Sequence, residues 1–553
     1  MFFNIYTKEE AKMAKKSLDA RLKQACETRI AEEGKINIYE EFENVVNEIG
    51  LSSEDAGGKI TFEGADPIVN STIALGTGSS ICLMAKSLAA TKIWRMRGGE
   101  GQDMSIDISK GISRLSALYK MQEMLNGYNP DVPDVNLGGL MLLMRTADGS
   151  FVCPDNNMPK LRDRMQDMIG CNNNIPSVVK KLLFKNGTKL EEKCAKEGII
   201  MGRLRTLQEF MQEPVYTEYL SKLPLVEIEK IGESEPEPMS MNPKTPLEGV
   251  RALGMGHIIA GAGLGRALAC HGADVLNIWK PDEFEYDSTY ISADVGMRSC
   301  RIQYKEEKGQ KQVKELLKDA DIFFANRRPK LMENVGLTAK ECAEIRPGII
   351  YCNTSFAGDA GPWRDRVGYD QVAGCVTGMA MFEGTPEEPR LPVINVVNDF
   401  LVSWLAAAGV MEALARRAKE GGSYRVQVSL CRVSLWLMSM GIFDKDFVKA
   451  NFGKGIHEEK DPDLFHAKTP LGYYQGYTDQ VHMSVLKEEY NPVLVPRGSS
   501  APVWLVDGKE PDWIPLDAME NIKITPVEAY QNQIYDTYRK LPKILFKALK
   551  LFS

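Results

Sequence analysis

From residue 246 onward, short apolar runs alternate with amphipathic stretches at the spacing of successive strands and helices. Residues 250–255 predict a strand, 264–271 a helix stopped at Gly272, and 274–279 the next strand. Further strands are predicted at 299–304 and 321–325, on either side of an amphipathic helix at 308–318. Thr338-Ala-Lys-Glu341 is a capping box, in which the Thr hydroxyl accepts from the Glu amide while the Glu carboxylate reaches back. Its helix ends near Arg346-Pro347, ahead of a strand at 349–352. Residues 400–417 are apolar nearly all round and predict a buried helix, stopped by Gly421-Gly422 before an alternating strand at 424–430. The alternation implies parallel strands joined by crossover helices: an α/β chain with a doubly wound, Rossmann-like sheet.

The remaining sections differ in texture. Residues 1–60 are charged and helical in pattern, as expected of an exposed arm, while 61–235 mix a Gly/Ser-rich start, strand-like runs and Lys-rich helices. Prolines and acids around 236–245 predict a linker between that section and the sheet-forming one at 246–445. Residues 446–553 read as a smaller α+β region. Its tail sets Lys540, Lys543, Lys547 and Lys550 on one helical face opposite Leu, Ile and Phe, which suits a docking helix with a solvated lysine face. An order of strand, loop, buried helix, glycine stop and strand occurs at 66–113 and again at 391–435, the pattern of a partial duplication.

Composition narrows the function classes. The 553 residues carry 68 Lys plus Arg against 75 Asp plus Glu, a net charge of −7 that argues against a nucleic-acid partner. Eleven cysteines without a C-x-x-C pair suggest reduced thiols in a cytosol, and no window of about eighteen apolar residues predicts a membrane span. The opening Met-Phe-Phe-Asn-Ile-Tyr runs directly into charged residues, unlike a signal peptide. The five histidines include no H-x-x-x-H or H-x-H, so no metal is expected, and neither G-x-S-x-G nor a phosphate-binding P-loop is present.

Three groups could carry chemistry. Gly261-Ala-Gly263-Leu-Gly265 approaches a dinucleotide fingerprint, but its third glycine falls one residue early, leaving Arg266 in that place. The next strand closes on Trp279-Lys280 rather than an acid, so close helix packing is expected here and nicotinamide is not. His257, Lys280, Arg298, Asn326, Arg327 and Arg328 fall near the carboxyl ends of predicted strands, where positive charge suits an anionic, phosphate-bearing ligand. Asp399 precedes the buried helix. It is either an ordinary N-cap or a carboxylate kept ionised by the helix dipole and able to act as nucleophile.

At these residues the sequence resembles the family III CoA-transferases, the group of formyl-CoA transferase, carnitine-CoA transferase and the α-methylacyl-CoA racemases. The resemblance runs through Leu247-Glu-Gly-Val-Arg, Gly256-His-Ile-Ile-Ala-Gly261, Asp319-Ala-Asp-Ile-Phe-Phe-Ala-Asn326, Arg346-Pro-Gly-Ile-Ile-Tyr351 and Gly368-Tyr-Asp-Gln371, in that order, and reaches Asp399. It implies the family fold and an enzyme that moves CoA from an acyl-CoA to a small carboxylic acid through a covalent aspartyl intermediate. Asp399 stands where the nucleophile sits. His257 and Ala260 would line the CoA, with Lys280, Arg298, Asn326 and Arg327 near its phosphates or adenine. Family chains interlock as dimers, so a homodimer is expected.

Two departures qualify the resemblance. Gly254 replaces the family's aspartate in the first strand, and Tyr369 stands where racemases place a histidine. A phenol with a pKa of about 10 is a poor α-proton base, so transfer is favoured over racemisation. Leu137-Gly138-Gly139-Leu-Met resembles the glycine loop of the family's small domain, but Leu75-Gly-Thr-Gly-Ser79 lacks the carboxylate, so the first copy is expected to be inactive. That copy would complete the site of the second, with Gly138 and Gly139 covering the intermediate. A catalytically silent partner subunit is the alternative from outside enzymology.

Overall fold

The computed structural model describes residues 17–116, 119–130, 139–394, 396–506 and 508–509. Gly138 and the tail bearing Lys540, Lys543, Lys547 and Lys550 lie outside the described residues. The described residues open with two helices, α1 (Leu18–Glu27) and α2 (Ile38–Ile49). The expectation of an exposed arm is corrected for this stretch. Phe42, Val45, Val46 and Ile49 recur at helical spacing and are buried together with Leu22 and Ala25 of α1. The numerous acids on the other faces obscure that stripe in the sequence.

A small βαβ unit follows, made of β1 (Gly57–Glu63), α3 (Leu75–Met96) and β2 (Gln102–Asp107), with β1 and β2 parallel. The chain then runs through a short strand, β3 (Phe151–Cys153), and leaves the section as β4 (Glu227–Gly232).

The main sheet is built from β5 (Arg251–Met255), β6 (Asp274–Trp279), β7 (Arg298–Arg301), β8 (Ile322–Ala325), β9 (Ile350–Ser355) and β10 (Ser423–Ser429). Its helices include α4 (Ile258–Ala269), α5 (Glu307–Lys318), α6 (Ala339–Ile345), α7 (Asp370–Val376) and α8 (Asn398–Glu420). The strand order is β7-β6-β5-β8-β9-β10-β4, with the first six parallel and β4 antiparallel to β10. Chain order reverses between β5 and β8, and at such a switch point a crevice opens outside the carboxyl ends of the strands. Although β4 falls in section 61–235, it forms the edge of the sheet made by section 246–445.

The sections are tied together elsewhere too. Helix α8, with Leu401, Trp404, Leu405, Val410 and Leu414 all buried, packs against α3 on one side and α4 on the other. It ends at Gly421, whose φ of +66° is a left-handed conformation that favours glycine. The linker is extended but fastened. Glu237 accepts two hydrogen bonds from Arg346 (2.6 and 2.7 Å), and Arg97 donates to the carbonyls of Ser240 (2.8 Å) and Pro246 (2.9 Å).

Helix α4 starts six residues earlier than the sequence pattern suggests and so takes in the glycine cluster. A Cβ on Gly263 would lie 2.7 Å from Ser403 Oγ, and one on Gly265 2.9 Å from the Phe324 ring. These glycines let α4 lie close against α8 and β8, as the packing expectation had it.

Candidate active site

Asp399 lies in the first turn of α8 and is 7% exposed. The amides at that helix start are capped by another acid. Asp370, the first residue of α7, accepts through Oδ2 from the amides of Val397 (2.9 Å), Asn398 and Asp399 (2.7 Å), and through Oδ1 from Asn398 Nδ2 (3.2 Å). Asp370 therefore does the capping that position alone would give to Asp399, whose carboxylate is left out of it. The expectation that the helix dipole keeps Asp399 ionised is corrected: burial first, then the charges of Asp370, Asp155 and Glu285, push its carboxyl well above the usual carboxylate range. Burial also raises Asp370, against the opposing pull of its amide hydrogen bonds. Neighbouring carboxyls in such a setting titrate as a set rather than singly.

The turn from β5 into α4 forms the adjacent wall. Two asparagines grip its consecutive residues. Asn277 accepts from the Gly256 amide and donates to the Gly256 carbonyl (both 3.0 Å), while Asn326 accepts from the His257 amide (3.0 Å) and donates to the His257 carbonyl (2.6 Å). The grip holds Ile258 at φ +60°, a left-handed conformation costly for a β-branched residue and typical of functional turns. The Ile258 amide donates to Glu285 Oε2 at 2.8 Å. His257 Nε2 lies 2.8 Å from the Phe284 carbonyl and 3.4 Å from Glu285 Oε2.

The other site residues named from the sequence divide into two groups. Ala260 is tied to α8 through its carbonyl, which accepts from Ser403 Oγ at 3.1 Å, one turn beyond Asp399. Arg327 donates to the Met255 carbonyl (3.0 Å) and pairs with Glu283 (2.7 Å), while its buried Nη2 has no hydrogen-bond partner among the described residues. Lys280, just past the carboxyl end of β6, pairs with Asp282 at 3.1 Å. These residues border the crevice. Arg298 does not. It opens β7 beside Asp274, which opens β6, so the pair lies at the amino edge of a parallel sheet, joined by hydrogen bonds of 3.0 and 3.1 Å. The expected strand at 299–304 is observed at Arg298–Arg301, and that shift in bounds makes Arg298 a strand's first residue.

Tyr369 directly precedes α7. Burial and the carboxylates of Asp155, Glu285 and Asp399 push its phenol upward, so it is a proton donor at neutral pH and a poor base. Asp155 comes from the other section, two residues after β3. Its neighbour Asn156 is locked to Ile200 by a bond to the carbonyl (2.7 Å) and one from the amide (2.9 Å). Gly139 opens a short turn, Gly139–Met141, whose Met141 carbonyl lies 3.6 Å from Cys153 Sγ on the same stretch. Sequence reasoning passed over Asp155, Asn277, Glu285 and the capping role of Asp370. Of these only Asp370 stood in a motif quoted for the resemblance.

Cys270, His271 and Glu488 are clustered closely enough to hold a cation, a grouping that histidine spacing does not reveal. Lys86 already supplies positive charge there, with Nζ 3.6 Å from Cys270 Sγ and 3.3 Å from Glu488 while also pairing with Asp479.

Residues 247–496 match the family model described as CoA-transferase family III. An acetyl-coenzyme A transferase from Hypoxylon pulicicidum is 30% identical over 212 residues, covering 37% of this chain and 36% of that protein. The succinyl-CoA:glutarate CoA-transferase of Homo sapiens is 31% identical over 204 residues, covering 34% of this chain and 46% of that protein. A crystal structure from M. tuberculosis is 27% identical and covers 35% of this chain and 57% of that one, with a TM-score of 0.33. The chain thus spans 36% and 46% of the length of those two curated relatives. Strands β5 to β10, Asp370 and Asp399 fall inside the matched segment, whereas α3 and Asp155 fall outside it. Residues 247–496 are thus similar to CoA-transferase family III.

Proposed function

We propose that the chain transfers CoA from an acyl-CoA donor to a carboxylic acid through Asp399. The observation that carries this reading is the uncommitted carboxylate of Asp399 at a buried helix start whose amides are already capped by Asp370. The ionised form of Asp399 attacks the thioester carbonyl, the C–S bond breaks, and a mixed anhydride forms with CoA thiolate released. The thiolate attacks the aspartyl carbonyl, freeing the donor acid and leaving Asp399 as a CoA thioester. The acceptor carboxylate then attacks that thioester, and the thiolate released captures the new acyl group. Each step exchanges one activated acyl bond for another, so no ATP is consumed.

His257, Ala260, Lys280, Asn326 and Arg327 would hold the CoA along the crevice, and the unpartnered Arg327 Nη2 fits a phosphate or carbonyl oxygen. Arg298, committed to Asp274, has no part in this. The names of the relatives support the class of reaction, and the raised phenol of Tyr369 speaks against α-proton exchange. The segment carrying Asp155 supports a site completed by the N-terminal section of the same chain.

Incubation with a panel of acyl-CoAs and acids, followed by mass spectrometry of the CoA pool, tests the proposal. Exchange is expected with at least one pair and is expected to fall at least roughly a thousandfold in Asp399→Ala. Exchange undiminished in that variant contradicts it.

A further inference from the structure

One acid near Asp399 contributes nothing visible to the fold. The Asp155 side chain is wholly buried, and neither of its carboxylate oxygens has a hydrogen-bond partner among the described residues. Burying such a group without partners is unfavourable, so stability does not explain its presence. Its position is nevertheless well defined. Asn156 is locked to Ile200, the Tyr286 hydroxyl donates to the Asn157 carbonyl at 2.5 Å, and β3 packs on α7, the helix that opens with Asp370. The titratable groups facing Asp155 are Cys153 on its own segment, Tyr369 and Asp370 at the start of α7, and Asp399 on α8.

We infer that Asp155 is a second catalytic carboxyl, whose protonated form donates a hydrogen bond to the oxygen that becomes negative when Asp399 attacks the thioester. The inference rests on the transferase reading above. In that step Asp399 reacts in its ionised form while Asp155 keeps its proton: the bond from Asp399 oxygen to acyl carbon forms, and the carbonyl π pair moves onto its oxygen, which accepts from the Asp155 O–H. On collapse the pair returns, the C–S bond breaks and thiolate leaves, with the proton still on Asp155. Burial and the Asp370 charge push Asp155 up to about 7, so the donor form is populated near neutrality. A neutral buried acid is a suitable oxyanion donor because it needs no reorganisation as charge develops.

The test measures kcat of the full chain between about pH 5 and pH 9, using an acyl-CoA and acid that the wild type exchanges, with a choice of range set by the carboxyl titrations. Asp155→Ala is expected to lower kcat roughly a hundredfold. Asp155→Asn retains an N–H donor and is expected to stay within about tenfold of wild type, while losing the decline that wild-type kcat shows as pH rises through about 7. Wild-type kcat in both variants, or an unchanged decline in Asp155→Asn, overturns the inference. Circular dichroism melts establish that the variants fold. Should neither fold, the wild-type profile decides, and the absence of a decline near pH 7 overturns the proposal. Undiminished exchange by Asp399→Ala would instead overturn the reading of Asp399 as nucleophile on which the inference rests.

Discussion

Two long buried helices, α3 and α8, pack side by side, and each begins against a buried aspartate. Asp66 accepts from the amides of Gly76 (3.2 Å) and Thr77 (2.6 Å) at the start of α3, and from Ile68 (3.3 Å). Asp370 accepts from Val397, Asn398 and Asp399 at the start of α8. The capping chemistry is thus the same in both, and burial raises both caps. What differs is the capped segment. The α3 start, Leu75-Gly76-Thr77, holds no acid, while the α8 start holds Asp399 close enough to Asp370 to be pushed up by its charge. A cap on a helix is structural. A second carboxylate set beside the cap opposes folding and calls for a chemical reason.

Removing the two caps is the sharpest way to break this comparison. Asp66→Ala and Asp370→Ala each strand several buried amides, at a cost on the order of 1–3 kcal/mol. Both are expected to melt earlier by several degrees, yet only Asp370→Ala should lower the kcat of the folded fraction, by roughly tenfold to a hundredfold, since it alone aims Asp399. An equal kinetic loss in Asp66→Ala would erase the distinction.

A smaller effect lies in the dependence of stability on pH. Asp155, Asp370 and Asp399 all hold protons more tightly folded than unfolded, where a carboxyl titrates near about 4. At these three groups the native state therefore binds more protons than the unfolded chain above about pH 4, and their contribution to stability falls as pH rises from there through about 7. Melting midpoints are expected to drop between about pH 5 and pH 8, with a shallower drop in Asp399→Asn. Identical slopes would show that Asp399 ionises without strain.

The sequence carries the sheet plainly, because strands such as 274–279 are continuous apolar runs, and the Thr338 box forms as its residues dictate. Asp399 is legible for the same local reason: an acid directly before a long apolar helix. Arg298 is not: it stands at the amino end of its strand whether that strand begins at 298 or 299, opposite the ligand edge where the cation pattern placed it. Asp155 is legible least of all. It lies in the other section, and only the path from β3 to β4, which leads into the far sheet, brings its segment onto α7. The buried stripe of α2 was masked by acids on its remaining faces.

The central claim is that Asp399 becomes covalently acylated. Mass spectrometry of the peptide spanning Asp399, after quenching turnover with hydroxylamine, tests it directly. The account predicts a hydroxamate on Asp399 that depends on acyl-CoA. Continued CoA exchange with that residue unmodified would contradict it.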